Sequence, residues 1–115
     1  MSTELKNRTY QFGLRIVLHF KQDPPPPWCR KLADQLLRSA TSVGSNYRAA
    51  CRGRSKAEFV AKLGICEEEA DECLYWTAIL RDSEYFTPKI AAELMDEADQ
   101  LLSIIIASIK TAKGH

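Results

Sequence analysis

Five polar residues stand at spacings that would bring them together between two helices. Arg38, Ser42 and Asn46 are four residues apart, so on a helix their side chains share one face. Glu69 and Glu72 are three residues apart on a later predicted helix. If the two helices are antiparallel neighbours, these groups can meet. We predict a polar network that fixes the register of the helices, with a binding site for a small ligand as the alternative.

Patterns that would support catalysis or a metal are missing. A di-metal carboxylate bundle needs Glu-x-x-His pairs from two helices, and neither His19 nor His115 follows a Glu by three residues. There is no glycine-rich phosphate loop and no nucleophile elbow. The cysteines lack the close pairs of a zinc site, so we interpret them as buried thiols, with a redox or metal role as the alternative: Cys29, Cys51, Cys66 and Cys73. We expect no catalytic residue, metal or cofactor, and hence no enzyme.

Charge is segregated along the chain although the net charge is only +1. Residues 28–62 hold eight basic and two acidic residues, and residues 67–99 hold two basic and eleven acidic residues. Such halves can pair within or between chains, or they can be solvated faces. Four of the cations surround one predicted turn and form the candidate nucleic-acid-binding site: Arg48, Arg52, Arg54 and Lys56.

Length and composition are those of one globular domain over residues 1–115. The chain has 45% hydrophobic and 27% charged residues, which argues against disorder. No apolar run approaches the roughly 20 residues of a membrane-spanning helix, and the N-terminus lacks the apolar core of a signal peptide. We therefore expect a cytoplasmic protein without a membrane partner.

The apolar periodicity predicts an all-α fold with helices over 3–21, 28–50, 55–82 and 88–112. The four prolines from Pro24 to Pro27 end the first helix. Ser55 and Glu58 form a capping-box pattern, and Thr87 is the expected N-cap of the last helix.

Two glycines and the last helix carry further expectations. Gly44 lies within the second helix, where glycine is costly, so we predict a packing reason for it. Gly53 is the expected C-terminal stop of that helix. The fourth helix is apolar nearly all round, with Leu102, Ile104 and Ile106 widening its stripe. A single bundle covers only one side of each helix, so this excess predicts an oligomer.

The middle of the chain resembles a known family. The residues that carry the resemblance are Arg38, Ser42, Asn46 and Tyr47, then Ser55, Glu58 and Phe59, then Leu63, Ile65 and Glu72. They resemble the bacterial four-helix bundle family, also called the 23S rRNA intervening-sequence protein family. Where the family commonly has Ile-Ala-Glu-Gly, this chain has Tyr47-Arg48-Ala49-Ala50.

The resemblance implies an up-down-up-down four-helix bundle that assembles into a ring-shaped homopentamer. The accessory variability determinant protein of diversity-generating retroelements shares this architecture and binds a reverse transcriptase and nucleic acid. The resemblance thus implies a non-enzymatic accessory protein with RNA, DNA or a protein such as a reverse transcriptase as partner. The alternative is a purely structural oligomeric scaffold for another protein.

Overall fold

Four long helices form an elongated bundle of 45 × 21 × 21 Å. The computed structural model describes residues 2–114, without the side chain of Ser2. The helices are α1 (Ser2–Gln22), α2 (Arg30–Cys51), α3 (Lys56–Asp82) and α4 (Pro88–Ala112), and a 3₁₀ turn (Pro27–Cys29) precedes α2. The described part of the chain has no strand, which confirms the all-α prediction. His115, considered above as a metal ligand, lies outside the described residues.

Contacts between the helices show that neighbours run in opposite directions. Between α2 and α3, the Arg38 guanidinium reaches Glu72, and Cys66 Sγ donates to the Val43 carbonyl at 3.6 Å. A later residue of α2 thus meets an earlier residue of α3, so the two helices are antiparallel. α1 pairs with α4 in the same way, because Arg8 binds Glu97 there. The order around the bundle is therefore α1, α2, α3, α4.

The core follows the apolar periodicity of the sequence. One inward stripe from each helix packs along the bundle axis, and its largest members are fully buried. They include Ile16, Leu36, Leu63, Leu80, Leu101 and Ile105. Burial of such side chains stabilises the fold by about 1.5–3 kcal/mol each.

Two glycines allow α1 and α2 to approach closely. A Cβ atom at Gly44 would lie 3.2 Å from the carbonyl oxygen of Thr9, and one at Gly13 would lie 3.3 Å from that of Ala40. The packing reason predicted for Gly44 is thus confirmed. By contrast, a Cβ atom at Gly64 on α3 would meet nothing within 4 Å.

An aromatic cluster, His19, Phe20, Tyr85 and Phe86, closes one end of the bundle. The His19 ring packs edge-on against Phe86 with centroids 5.1 Å apart, and Phe20 stacks on Phe86 at 6.3 Å. The Tyr85 hydroxyl donates to the backbone carbonyl of Asp23, which attaches the start of the proline linker to the cluster. After the linker, α2 begins at Arg30 rather than at residue 28, because the backbone at Cys29 (φ −116°) has not yet become helical.

The turn from α3 to α4 lies at the same end. The amides of Glu84 and Tyr85 donate to the carbonyls of Arg81 and Leu80, in the pattern of a Schellman cap. Glu84 has φ +71°, a left-handed conformation usually taken by glycine. Thr87 then caps α4 as predicted, since its hydroxyl accepts from the Ile90 amide at 3.2 Å.

Large exposed apolar residues lie on α1 and α3 rather than on α4. Leu102, Ile104 and Ile106 of α4 are all partly buried within the single chain. On α1, by contrast, Tyr10 is 61% exposed and Leu18 is 50% exposed. The neighbours of α4 in the bundle thus cover more of its apolar surface than its periodicity suggests.

Candidate functional site

The turn between α2 and α3 is held by hydrogen bonds that the sequence encodes locally. The Glu58 amide donates to Ser55 Oγ at 3.1 Å, and Glu58 Oε2 accepts from the Arg54 amide at 2.8 Å. The capping box is therefore present, with its return bond to the residue before Ser55. Gly53 follows the end of α2 as predicted, but its φ is not positive. A Cβ atom there would lie 3.0 Å from the Ala50 carbonyl oxygen, so close approach explains this glycine.

The predicted cations project from this end of the bundle. Arg48, Arg52, Arg54 and Lys56 are all exposed. Within residues 2–114, none of the four forms an ion pair. Their charges are therefore available to an external anion.

Two further cations, Lys110 and Lys113, lie at the same end, although no motif in the sequence marks them. Ala112, at the end of α4, lines a shallow depression together with Cys51, Gly53 and Lys56. The exposed side chains of Lys110 and Lys113 therefore lie near the α2–α3 turn. The antiparallel order of the helices predicts this position, because it brings the C-terminus of α4 to the α2–α3 turn. We call the six cations the basic end: Arg48, Arg52, Arg54, Lys56, Lys110 and Lys113.

The basic end also suits its own helices. Arg48 and Lys110 lie in the last turns of α2 and α4, where a cation interacts favourably with the helix dipole. Such interactions contribute about 0.3–1 kcal/mol each on a surface and are screened by salt. Lys56, in the first turn of α3, has no such favourable interaction with its helix.

The structure brings together three of the five residues of the predicted polar network. Arg38 lies 3.9 Å from Glu69 Oε2 and 3.7 Å from Glu72 Oε1. Glu72 Oε1 also accepts from the hydroxyl of the fully buried Ser39 at 3.4 Å, a contact that the sequence search did not identify. The Arg38 side chain is 56% exposed, so its ion pairs stabilise the fold only weakly.

The other two residues of the predicted network, Ser42 and Asn46, are hydrogen-bonded to each other within α2. Asn46 Nδ2 donates to the Ser42 carbonyl at 2.9 Å, one turn earlier in α2. Neither side chain hydrogen-bonds to Glu69 or Glu72 among the described atoms. The spacing placed Arg38, Ser42 and Asn46 on one side of α2, but spacing does not determine which partner an amide chooses.

Three of the four cysteine thiols and one carboxylate oxygen lie in the protein interior. Burial raises the pKa of the Cys66 thiol to about 12 and raises the pKa of Cys73 further, so both thiols are protonated and poor nucleophiles. All four cysteines are free, and only Cys51 is not fully buried. Glu69 Oε1 is buried without a hydrogen-bond partner. No cluster of His, Cys, Asp or Glu suited to a metal ion occurs within residues 2–114.

Comparison with known proteins gives consistent results. A sequence family described as 23S rRNA-intervening sequence protein matches residues 2–107. The chain is similar to a crystal structure of a protein with unknown function from the S23 ribosomal protein family of Bacteroides thetaiotaomicron VPI-5482. The two chains are 30% identical, with a TM-score of 0.85 over 95% of this chain and 97% of that one. No curated protein matches the chain.

The family match and the structural similarity cover the same four helices. The match over residues 2–107 includes the α2–α3 turn and the residues of the predicted polar network. These segments carried the resemblance in the sequence. None of the helices in the described part is long and apolar enough to cross a membrane. The chain belongs to the 23S rRNA-intervening sequence protein family.

Proposed function

We propose that this protein is a non-enzymatic, self-assembling accessory protein of the cytoplasm whose basic end binds nucleic acid or an enzyme that acts on nucleic acid. The observation that carries the proposal is the convergence of six exposed cations on one end of a bundle whose net charge is only +1. Exposed Lys and Arg side chains bind phosphates and release counterions, which provides affinity without sequence recognition.

The distribution of the acids supports the end of the bundle, rather than its sides, as the binding surface. Glu67, Glu68 and Asp71 lie midway along α3, and Glu93 and Asp96 lie in the half of α4 away from the basic end. These carboxylates repel phosphate along the sides of α3 and α4. A nucleic acid would therefore contact the basic end and avoid much of the rest of the molecule.

The buried thiols support a non-enzymatic role. Cys66 and Cys73 are held protonated by burial, and Glu72 is already hydrogen-bonded to Ser39. These three groups are therefore poorly suited to nucleophilic or acid–base chemistry. The proposal therefore assigns the protein to binding, with a partner such as a reverse transcriptase, RNA or DNA.

Self-assembly is the second part of the proposal, and a homopentamer is its specific form. The exposed apolar residues of α1 support an oligomer, since Tyr10 and Val17, which face the same side of the bundle, are each at least 39% exposed. The number five comes from the resemblance to ring-forming relatives. In such a ring every copy of the α2–α3 turn faces the same side, so the basic ends would combine into one rim.

The same apolar surface favours the alternative function, a purely structural oligomeric scaffold for another protein. An apolar face suits a protein partner better than a phosphate backbone. The two functions differ in what the cations do, because a scaffold does not need the basic end to be free.

Binding of labelled RNA and DNA, single- and double-stranded, tests the basic end. We expect binding at about 50 mM salt that is weakly sequence-dependent and falls steeply by about 200 mM. Arg52→Glu combined with Arg54→Glu should weaken binding uniformly across sequences and reduce the salt slope by about 2. The matched control is Arg30→Glu with Lys31→Glu, an identical charge change on exposed residues at the opposite end.

The outcomes separate the two functions. Equal loss in both double variants would mean that net charge, and not the basic end, governs binding. No binding by the unaltered protein to any of the four probes would reject the nucleic-acid proposal and leave the scaffold. Mass spectrometry of co-purified proteins would then identify the partner.

A further inference from the structure

One outer face of the bundle is an apolar groove between α1 and α2. Tyr10, Leu14 and Val17 recur at steps of four and three residues along the outside of α1 and form one wall. Gly13 and Gly44 lie in the groove, where the two helices approach closely. The groove has a volume of about 610 Å³.

The charge around this groove has one sign. Lys6 and Arg48 are the charged residues that line it, and no carboxylate is among the described residues of its lining. A partner that fits the groove therefore combines exposed apolar side chains with acids.

A surface of that kind occurs on α3 of the same chain. Ile65 is 36% exposed and Tyr75 is 59% exposed, and between them stand the exposed acids Glu68 and Asp71. Within residues 2–114, neither acid forms an ion pair. We call these four residues, Ile65, Glu68, Asp71 and Tyr75, the α3 ridge.

The apolar wall of the groove is about two thirds as long as the ridge, and the ridge carries a supported aromatic ring. At 1.5 Å per residue, Tyr10 to Val17 spans about 10 Å and Ile65 to Tyr75 spans about 15 Å. The Tyr75 ring packs edge-on against Trp76 with centroids 4.9 Å apart, so the exposed aromatic ring is already ordered before any contact. An ordered aromatic anchor loses little entropy when it enters a groove.

We propose that the α1/α2 groove of one chain receives the α3 ridge of a second copy, an inference that rests on the self-assembly proposed above and assigns its surfaces. Tyr75 and Ile65 supply the apolar contact, and Glu68 and Asp71 approach Lys6 and Arg48. In the assembly Arg48 is therefore engaged by the second copy, and the other five cations of the basic end stay available to an external anion. The contact is heterologous, because two different surfaces meet and each chain keeps one free groove and one free ridge.

The positions of the two surfaces decide what such contacts build. Around the nearly square cross-section, the α1/α2 face and the α3 ridge point about 90–135° apart. The lower limit applies if the ridge leans toward α2, and the upper limit applies if it points straight outward. Head-to-tail contacts close into a ring of five at about 108°. The assignment is therefore compatible with the proposed pentamer, whereas opposite faces would give a filament.

Two single substitutions and their mixture test the assignment in the absence of nucleic acid. Tyr10→Asp places a carboxylate in the groove, and Tyr75→Asp removes the aromatic anchor from the ridge. Both sites are well exposed in the single chain, so the helices should fold, which circular dichroism checks. Light scattering should show that each variant alone falls from about five chain masses to one.

Mixing the two variants gives the decisive result. Each retains the surface that the other has lost, so an equimolar mixture should form a dimer and nothing larger. Leu18→Asp is the matched control, because Leu18 is an exposed apolar residue of α1 that lines the α1/α4 side. This variant should assemble like the unaltered protein.

The possible failures are distinct. An unaltered protein that is monomeric would overturn self-assembly and the assignment together. Assembly that survives both substitutions would overturn only the assignment. If Tyr10→Asp alone prevents assembly, grooves pair with grooves and the heterologous contact is wrong. Binding of nucleic acid by a monomer would leave the function of the basic end intact in every case.

Discussion

The two ends of the bundle differ in what holds them together. At the aromatic end, Phe86 is 2% exposed and lies among three other rings, while the Tyr85 hydroxyl binds the linker. At the basic end the turn is organised by hydrogen bonds of Ser55 and Glu58, and the cations lie in solvent. The difference indicates that one end stabilises the fold while the other is free to change its surface chemistry.

The largest loss of stability should follow from removing a ring from the aromatic end, the cluster of His19, Phe20, Tyr85 and Phe86. Phe86→Ala removes a buried ring and leaves a cavity beside His19 and Phe20, which should lower the free energy of unfolding by about 3–4 kcal/mol. Urea denaturation measures the loss. Phe59→Ala is the comparison at the basic end, where the ring is only partly buried, and it should cost less. An equal cost would contradict the assignment of stability to the aromatic end.

A smaller effect should follow from removing a cap at the basic end. Ser55→Ala loses the bond from the Glu58 amide and should destabilise the protein by about 1 kcal/mol. Thr87→Ala, at the other end, should cost less, because Thr87 has no reciprocal partner like Glu58 among the described hydrogen bonds. Thermal unfolding of both variants, with Ser55→Asp as the variant that keeps an acceptor, tests this. A costlier Thr87→Ala would reverse the expected order.

The smallest expected effect is a loss of stability at acidic pH. Burial among the rings lowers the pKa of His19. The negative charge of Asp23 opposes this shift, and the positive charge of Arg15 adds to it. Tyr85 also faces the ring, and it is neutral in this range because burial raises its pKa to about 12. Since the unfolded chain binds the proton more readily, stability should fall as the pH drops below about 6.5 and level off below the lowered pKa.

Urea denaturation at several pH values between 7.5 and 5 measures this loss. The His19→Gln variant cannot take up the proton, so the difference between its pH profile and that of the unaltered protein isolates His19 from the carboxylates. Identical profiles would show that His19 is not held neutral by the aromatic cluster.

The sequence predicted the features that depend on local chemistry. The caps at Ser55 and Thr87, and the close approach at Gly44, are each determined by a residue and its near neighbours. The family resemblance is confirmed by the match over residues 2–107. Glu84 shows the limit of local reasoning, because its left-handed backbone is imposed by the Schellman hydrogen bonds and not by its own preference.

Features that depend on how the helices are arranged were harder to predict from the sequence. Asn46 shares a face with Arg38, yet its amide donates to the Ser42 carbonyl one turn earlier in its own helix. The basic end gained Lys110 and Lys113 only when α4 was placed beside the turn. The pattern of α4 predicted exposed apolar surface there, but neighbouring helices cover much of it, and the large exposed apolar residues lie on α1, on α3 and at Trp28.

The length of the bundle has a consequence for how the protein can evolve. Its ends lie at opposite limits of a 45 Å rod, whereas charges on a protein surface are screened over about 8 Å at physiological salt. Substitutions among the rings at one end therefore leave the electric field at the other end unchanged. The surface charge of the basic end and the thermal stability supplied by the aromatic end can therefore change as independent traits.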